Sequence, residues 1–288
     1  MENYNVIIIG GGPAGVSAAL YLARANFKVA IVENGPGALA RAHKIENFYG
    51  IAASGSKLYA AGLAQAKDLG VDIITDEVLA VEYYDSFVLT LKGSAEPLPA
   101  PALILATGTK NITLNLPGLV ELEGKGISYC AVCDGFFFRK KKLAVLGHGP
   151  FALHEADYLR HIAAEVTVLT NGQDDSAAKA AGFATIKTPI TAVTGDQRLE
   201  AVHFADGSGL EVNGLFIALG TADSTDMARK LGAQLEGRFI KVDADGATNI
   251  PGLFAAGDCI GGLKQVAKAV HDGARAGLAA IKFLRKQQ

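Results

Sequence analysis

Tryptophan is absent from the 288 residues, and cysteine occurs only three times. Three cysteines cannot build a disulfide scaffold, so an ordinary apolar core must hold the chain together. No sign of charge dominates: 27 Lys and Arg stand against 29 Asp and Glu, a formal net charge of −2. That balance excludes the basic stripe of a nucleic-acid binder and the polybasic cluster that docks on anionic membrane. Long apolar runs are also missing. Val6–Ile9 breaks at Gly10-Gly11-Gly12, far short of the ~20 residues a membrane helix needs, and no basic segment precedes it as in a signal peptide. Two of the cysteines form Cys130-Ala131-Val132-Cys133, a spacing that suits a reducing cytoplasm and a redox or metal pair. The expectation is a soluble, cytoplasmic α/β protein that needs neither nucleic acid nor membrane.

Glycine is abundant, at 34 residues, and its positions carry the reading. Val6–Ile9 has the all-apolar character of a buried parallel strand. It runs into Gly10-Gly11-Gly12-Pro13-Ala14-Gly15, a helical stretch over Val16–Ala25, and a second strand, Val29–Val32, that ends at Glu33. This is a βαβ unit. A helix over residues 58–70 follows, then short strands at Val71–Ile74, Val78–Tyr83, Phe87–Leu91 and Ala102–Ala106. The same plan then repeats. The strand Leu143–Leu146 leads into Gly147-His148-Gly149-Pro150-Phe151-Ala152, a helix over Leu153–Arg160 and a strand over Val166–Leu169, and Leu215–Leu219 matches the strand before Gly108. A long Ala- and Gly-rich helix closes the chain from about Gln265 to Leu284. Two nucleotide-binding domains of shared ancestry follow from the repeat.

The first glycine motif has its full context: a strand before it, a helix after it, and an acidic residue at the next strand end. Such glycines allow a tight turn and bring a pyrophosphate close to a helix N-terminus, where free N–H groups and the dipole favour anions. Glu33 can accept hydrogen bonds from ribose hydroxyls. The pair Cys130 and Cys133 can close a disulfide, a helix N-terminus beneath would lower the first thiol's pKa, and Asp134 can exchange protons with a thiolate. One such pair without a second pair or histidines argues against structural zinc, and no metal is expected.

The Gly10–Gly15 loop, Glu33, Glu46-Asn47-Phe48-Tyr49-Gly50, Ala106-Thr107-Gly108, the Cys130–Asp134 motif and Ala255-Ala256-Gly257-Asp258 are arranged as in low-molecular-weight thioredoxin reductases, and the resemblance covers nearly the whole chain. It implies two Rossmann-like domains, the second inserted into the first. An FAD-binding domain would span residues 1–113 and 243–288, and a smaller pyridine-nucleotide-type domain carrying the dithiol would span residues 114–242, assembled as a homodimer. By that likeness Gly10, Gly12, Pro13, Ala14, Gly15, Glu33, Asn47, Ala106, Thr107, Gly108, Gly257, Asp258 and Gln265 bind FAD. Cys133 faces the flavin and forms the charge-transfer thiolate. Cys130 attacks the substrate disulfide, with Asp134 as the acid and thioredoxin as the partner. Rotation of the small domain would use hinges in Lys110–Gly126 and Leu235–Val242.

The second nucleotide motif departs from the family. NADPH-using members have Gly-Gly-Gly-Asp/Asn-Ser-Ala where this chain has Gly147–Ala152; Pro150 removes an N–H that a phosphate would use, and Phe151 is bulky. The family's His-Arg-Arg clamp for the 2′-phosphate is replaced by Thr170-Asn171-Gly172, which lacks the guanidinium's bidentate contacts. No carboxylate ends that strand for an NADH ribose, unless Asp174 or Asp175 reaches back. The family's Arg-Gln-Ala is Lys264-Gln265-Val266 here. The combination resembles ferredoxin-dependent flavin thioredoxin reductases. A plant-type ferredoxin near −400 mV feeding thioredoxin near −270 mV leaves about 130 mV, roughly 6 kcal/mol for two electrons. NADPH-dependent reduction and an FAD dithiol oxidase stay open, as does a non-catalytic FAD redox sensor, although a sensor needs no acid beside its thiols. The histidines show no ligand spacing, Cys259 reads as a small core residue, and the basic run Arg139–Lys142 reads as a solvated loop that could also dock an acidic protein.

Overall fold

The computed structural model describes residues 4–108, 114–129, 131–219, 224–237 and 239–287, with the backbone alone at Arg41, Val132 and Cys133. In chain order the two parallel sheets draw on β1 (Val6–Ile9), β2 (Val29–Glu33), β3 (Asp72–Thr75), β4 (Ala102–Leu105), β5 (Ile127–Ser128), β6 (Lys142–Leu146), β7 (Glu165–Leu169), β8 (Ala184–Ile186), β9 (Gly214–Ile217) and β10 (Leu253–Ala255). The helices are α1 (Pro13–Arg24), α2 (Gly55–Asp68), α3 (Ala131–Asp134), α4 (Pro150–Arg160), α5 (Ser176–Ala180), α6 (Ser224–Lys230) and α7 (Val266–Arg285). Residues 1–109 and 223–288 form one compact unit, and residues 110–222 form the other, inserted within it.

The sequence repeat is a structural repeat. The first sheet has the order β10-β4-β1-β2-β3 and the second β5-β9-β6-β7-β8, each parallel throughout. Their glycine turns are tied down alike: Gly10 N–H donates to Val32 O at 2.8 Å, and Gly147 N–H to Leu169 O at 3.0 Å. Ala106 N–H to Ile9 O and Ala218 N–H to Leu146 O, both 2.8 Å, complete the match. Each unit adds a three-stranded antiparallel meander, over Val78–Tyr83, Phe87–Leu91 and Leu98–Ala100 in one, and over Ile190–Thr194, Ala201–Phe204 and Gly209–Glu211 in the other. The strands of β1, β2 and β4 are buried on both faces, which explains their unbroken apolar character.

In the first unit the small residues of α7 settle its packing. A Cβ at Gly273 would lie 2.0 Å from Ala14 O and one at Gly277 2.9 Å from Ala18 O, so only glycine lets α7 approach α1 this closely. The second unit has its own core, built from Ala144, Leu146, Leu169, Val202, Leu215 and their neighbours. The return to the first unit falls between residues 222 and 223, ahead of the 242/243 boundary expected from sequence. Leu235–Glu236 and Phe239–Ile240 pair as an antiparallel hairpin in the first unit, so the Leu235–Val242 stretch is not a crossing between units. The other hinge candidate, Lys110–Gly126, begins at the first crossing, which falls between residues 109 and 110; residues 109–113 lie outside the described residues.

Candidate active site

The three spaced glycines of the first motif do two different things. Gly10 has φ +117°, and a Cβ there would sit 2.3 Å from Ala106 O; a Cβ at Gly15 would sit 1.9 Å from Gly10 O. Both are required by the close packing of turn, strand and helix. Gly12, the N-cap of α1, faces open space: a Cβ there meets nothing within 4 Å. The first turn of α1 carries no acidic residue and no side-chain cap, so its early N–H groups, which have no partner inside the helix, are available to an anion. Gly10 also brings Ala106 and Thr107 to the turn, Gly11 brings Glu33, and Gly257 lies against Ala14, where an added Cβ would sit 3.0 Å from the Ala14 Cβ.

Glu33 is buried at the end of β2. Its Oε2 accepts the Gly35 N–H at 2.8 Å and the Tyr59 hydroxyl, and its Oε1 accepts the Thr75 hydroxyl. Burial pushes the carboxyl up, but the donors from Thr75, Tyr59 and Gly35 together outweigh it and hold its pKa below the usual carboxylate range. Burial and then the adjacent carboxylate push the Tyr59 phenol up. Most of Glu33's acceptor capacity is therefore taken by the protein, leaving one position on Oε1 for a ribose hydroxyl. Asn47, on the strand Ile45–Phe48, donates its side-chain amide to Gln265 Oε1 at 2.8 Å. Thr107 accepts the Ser224 N–H at 2.8 Å, and its own N–H donates to Ser224 Oγ at 3.0 Å. Gly108, with φ +74°, follows it. Under Gly257 and Asp258, Lys268 Nζ donates to Gly257 O at 2.9 Å and to Gly261 O, and pairs with Asp272 at 2.7 Å.

The dithiol motif lies in the second unit. Cys130 and the Cys133 side chain fall outside the described residues; the backbone of Cys133 is in α3. Asp134 ends that helix, and its Oδ2 accepts the Ser128 hydroxyl at 2.6 Å. The first amide of α3, Ala131 N–H, donates to Glu155 Oε2 at 2.9 Å, and Glu155 is 2% exposed. The helix N-terminus expected to favour a thiolate is thus engaged by a buried carboxylate. Cys259 is fully buried in the first unit, its thiol donating to Ala256 O at 3.3 Å and Leu105 O at 3.5 Å, in keeping with a core role.

The second glycine turn corrects two details of the sequence reading. Pro150 is the first residue of α4, and Pro13 occupies the same position in α1, so the missing N–H distinguishes nothing between the two motifs. Phe151 is fully buried in the core, so its bulk does not stand before the helix. The departure lies at the end of β7. Thr170 is buried and donates to Gln173 O at 2.9 Å, and Asn171 Oδ1 accepts the Ile190 N–H at 2.8 Å. Asp174 accepts from Ser176, while Asp175 accepts from Thr185 at 3.0 Å and pairs with Lys179 at 2.8 Å.

The model of the pyridine nucleotide-disulphide oxidoreductase family matches residues 4–273. The chain belongs to that family. A thioredoxin reductase of Streptomyces coelicolor is 37% identical over 302 residues, covering 97% of this chain and 94% of the relative. Among solved structures, the atypical thioredoxin reductase TRi of Desulfovibrio vulgaris Hildenborough aligns with a TM-score of 0.92 at 38% identity, covering 99% of each chain. A ferredoxin-flavin thioredoxin reductase of Clostridium acetobutylicum aligns with a TM-score of 0.73 at 29% identity, also over 99% of each.

For a disulphide oxidoreductase of this family, the first unit offers what a flavin dinucleotide requires. The open space at Gly12, the uncapped α1 N-terminus and the remaining acceptor position of Glu33 fit pyrophosphate and ribose. Sequence reasoning missed Tyr59, Thr75, Ser224, Lys268, Asp272, Ser128 and Glu155. Only Thr75 carried a signal, since the parallel register of β2 and β3 sets it opposite Glu33.

Proposed function

We propose that this oxidoreductase is an FAD-dependent thioredoxin reductase of the cytoplasm, acting as a homodimer and taking electrons from reduced ferredoxin rather than from a pyridine nucleotide. The observation that carries the choice of donor is the end of β7. Where a nucleotide-binding unit needs a guanidinium or a free carboxylate, Thr170, Asn171, Asp174 and Asp175 are committed to neighbouring protein groups.

In this reading Gly10, Gly12, Pro13, Ala14 and Gly15 cradle the pyrophosphate, Glu33 accepts a ribose hydroxyl, and Asn47, Ala106, Thr107, Gly108, Gly257, Asp258 and Gln265 complete the site. Bound FAD supplies a two-electron carrier between the donor and the Cys130–Cys133 disulfide. Reduction breaks that S–S bond and forms two thiols. Cys130 then attacks the disulfide of thioredoxin, Cys133 resolves the mixed disulfide, and Asp134 holds or gives the proton at the thiol sulfur. Its carboxylate is already oriented by the Ser128 hydroxyl.

A second reading, reduction by NADPH, is favoured by the phosphate end of the second unit, where the turn, Pro150 and buried Phe151 leave the α4 N-terminus as well formed as that of α1. Anaerobic flavin spectroscopy decides between them. Bleaching by reduced ferredoxin with no response to NADPH or NADH is expected. Rapid bleaching by micromolar NADPH would overturn the choice of donor, and bleaching by a dithiol alone would make the protein a dithiol oxidase.

A further inference from the structure

Lys268 is a largely buried cation, on the second turn of α7, that the reaction outlined above leaves unused. Its Nζ donates to Gly257 O at 2.9 Å and to Gly261 O, and pairs with Asp272 Oδ2 at 2.7 Å. An ammonium has three N–H groups and no acceptor, so these three partners use all that it can offer. The two carbonyls bracket the short 3₁₀ turn Gly257–Ile260, which carries Asp258. Both bracketing residues are glycines with positive φ, +85° at Gly257 and +78° at Gly261, and glycine leaves a chain wide conformational freedom. The same Asp272 oxygen accepts the Gly257 N–H at 3.3 Å. Lys268 and Asp272 thus tie both ends of the loop to α7, the helix that Gly273 and Gly277 press against α1. Gly257 in turn lies against Ala14, in the first turn of α1.

A buried ion pair stabilises a fold no better than apolar side chains of similar volume. What this pair supplies is a single loop geometry. We infer that Lys268, oriented by Asp272, is a positioning residue for the cofactor: it holds the Gly257–Gly261 loop in the one shape that presents Asp258 to the flavin dinucleotide. The inference rests on the reading of this unit as the FAD site. With its donors taken, Lys268 acts through the loop. A loop already fixed in its binding shape has no ordering cost to meet when the ligand arrives, and a loosened one releases the ligand sooner.

The test sets fold stability against flavin retention in the full-length holoprotein. Lys268→Met combined with Asp272→Leu removes both charges together and fills their space with apolar side chains, so the fold is kept and the loop contacts are lost. In a double variant whose flavin-free urea midpoint matches the wild type, flavin release on dilution, read by the rise in flavin fluorescence, is expected to be at least tenfold faster. The visible circular dichroism of the flavin still bound is expected to change with it. A merely structural role would restore retention along with stability. Lys268→Arg keeps the charge beside Asp272 but replaces a compact three-donor head with a planar fork. It is expected to release flavin at least threefold faster, and it serves as the test should the double variant fall short of the wild-type midpoint. Release within twofold of the wild type, or an unchanged dichroism spectrum, overturns the inference. A wild-type protein that holds no flavin overturns the FAD reading itself, and the inference with it.

Discussion

The side-chain amide of Asn47 donates to Gln265 Oε1 at 2.8 Å, joining a hairpin near the start of the chain to the N-cap of its long final helix, 218 residues away. Both side chains are exposed, so their mutual hydrogen bond contributes little to the fold, about 1 kcal/mol at most. Asn47→Ala is therefore expected to leave the urea midpoint nearly unchanged while weakening flavin retention several-fold, measured by fluorescence of released flavin. Unchanged retention would remove Asn47 from the cofactor site.

Gly12 and Gly15 separate binding from packing. Gly12 has extended backbone, φ −75° and ψ −177°, which any residue adopts. Gly12→Ala should keep the stability of the flavin-free protein and lose flavin affinity. Gly15→Ala drives its methyl into Gly10 O and should cost at least ~2 kcal/mol of stability without any cofactor present. Denaturation of the flavin-free variants compares the two directly, and equal losses would refute the division of roles.

Glu33 has a pKa lowered in the folded state. Its contribution to stability is therefore present above the ordinary carboxylate pKa and lost as pH falls through the lowered folded value. Thr75→Val removes a donor to a charged acceptor and should cost about 1.5–3 kcal/mol at pH 7. It should also flatten the decline in stability between neutral and acid pH. Urea titrations at a series of pH values would show this as a smaller slope, and an unchanged slope would mean that Thr75 does not hold the carboxylate ionised.

Lys268 and Asp272 form a largely buried pair, with side-chain exposures of 20% and 7%. Lys268→Met leaves the Asp272 carboxylate with the Gly257 N–H at 3.3 Å as a remaining donor, and should destabilise by about 3 kcal/mol. Adding Asp272→Leu should recover much of that loss, because the uncompensated charge goes with it. A double variant less stable than Lys268→Met would contradict this account.

Local pattern made much of the fold legible. β1 and β6 fell where apolar runs met glycine, β2 where an apolar run ended at Glu33, and the repeat predicted two like sheets. Helix starts were read late: α1 and α4 begin at Pro13 and Pro150, where the fixed φ of proline suits a first helical residue, and α2 begins after Ser54, whose hydroxyl accepts the Lys57 N–H at 3.3 Å. The glycine roles were legible because they are local. The partners of the site residues were not. Thr107 meets Ser224 across 117 residues and Glu33 meets Tyr59 across 26, distances over which sequence spacing carries no geometric constraint. Glu155 was hidden by a helix face that otherwise reads as apolar core.

The press of α7 against α1 has a consequence for synthesis. The first sheet lacks its edge strand β10 and one of its covering helices until residues 253–285 have been made, whereas every strand of the second sheet is complete by residue 217. A chain emerging in order from the ribosome can therefore finish its inserted unit first. The apolar surface of α1 must wait, exposed, for a helix made near the end of translation. A pause before residue 253 would prolong that wait, and Gly273→Val, by blocking the final docking, would leave a folded insert carried on an unclosed host.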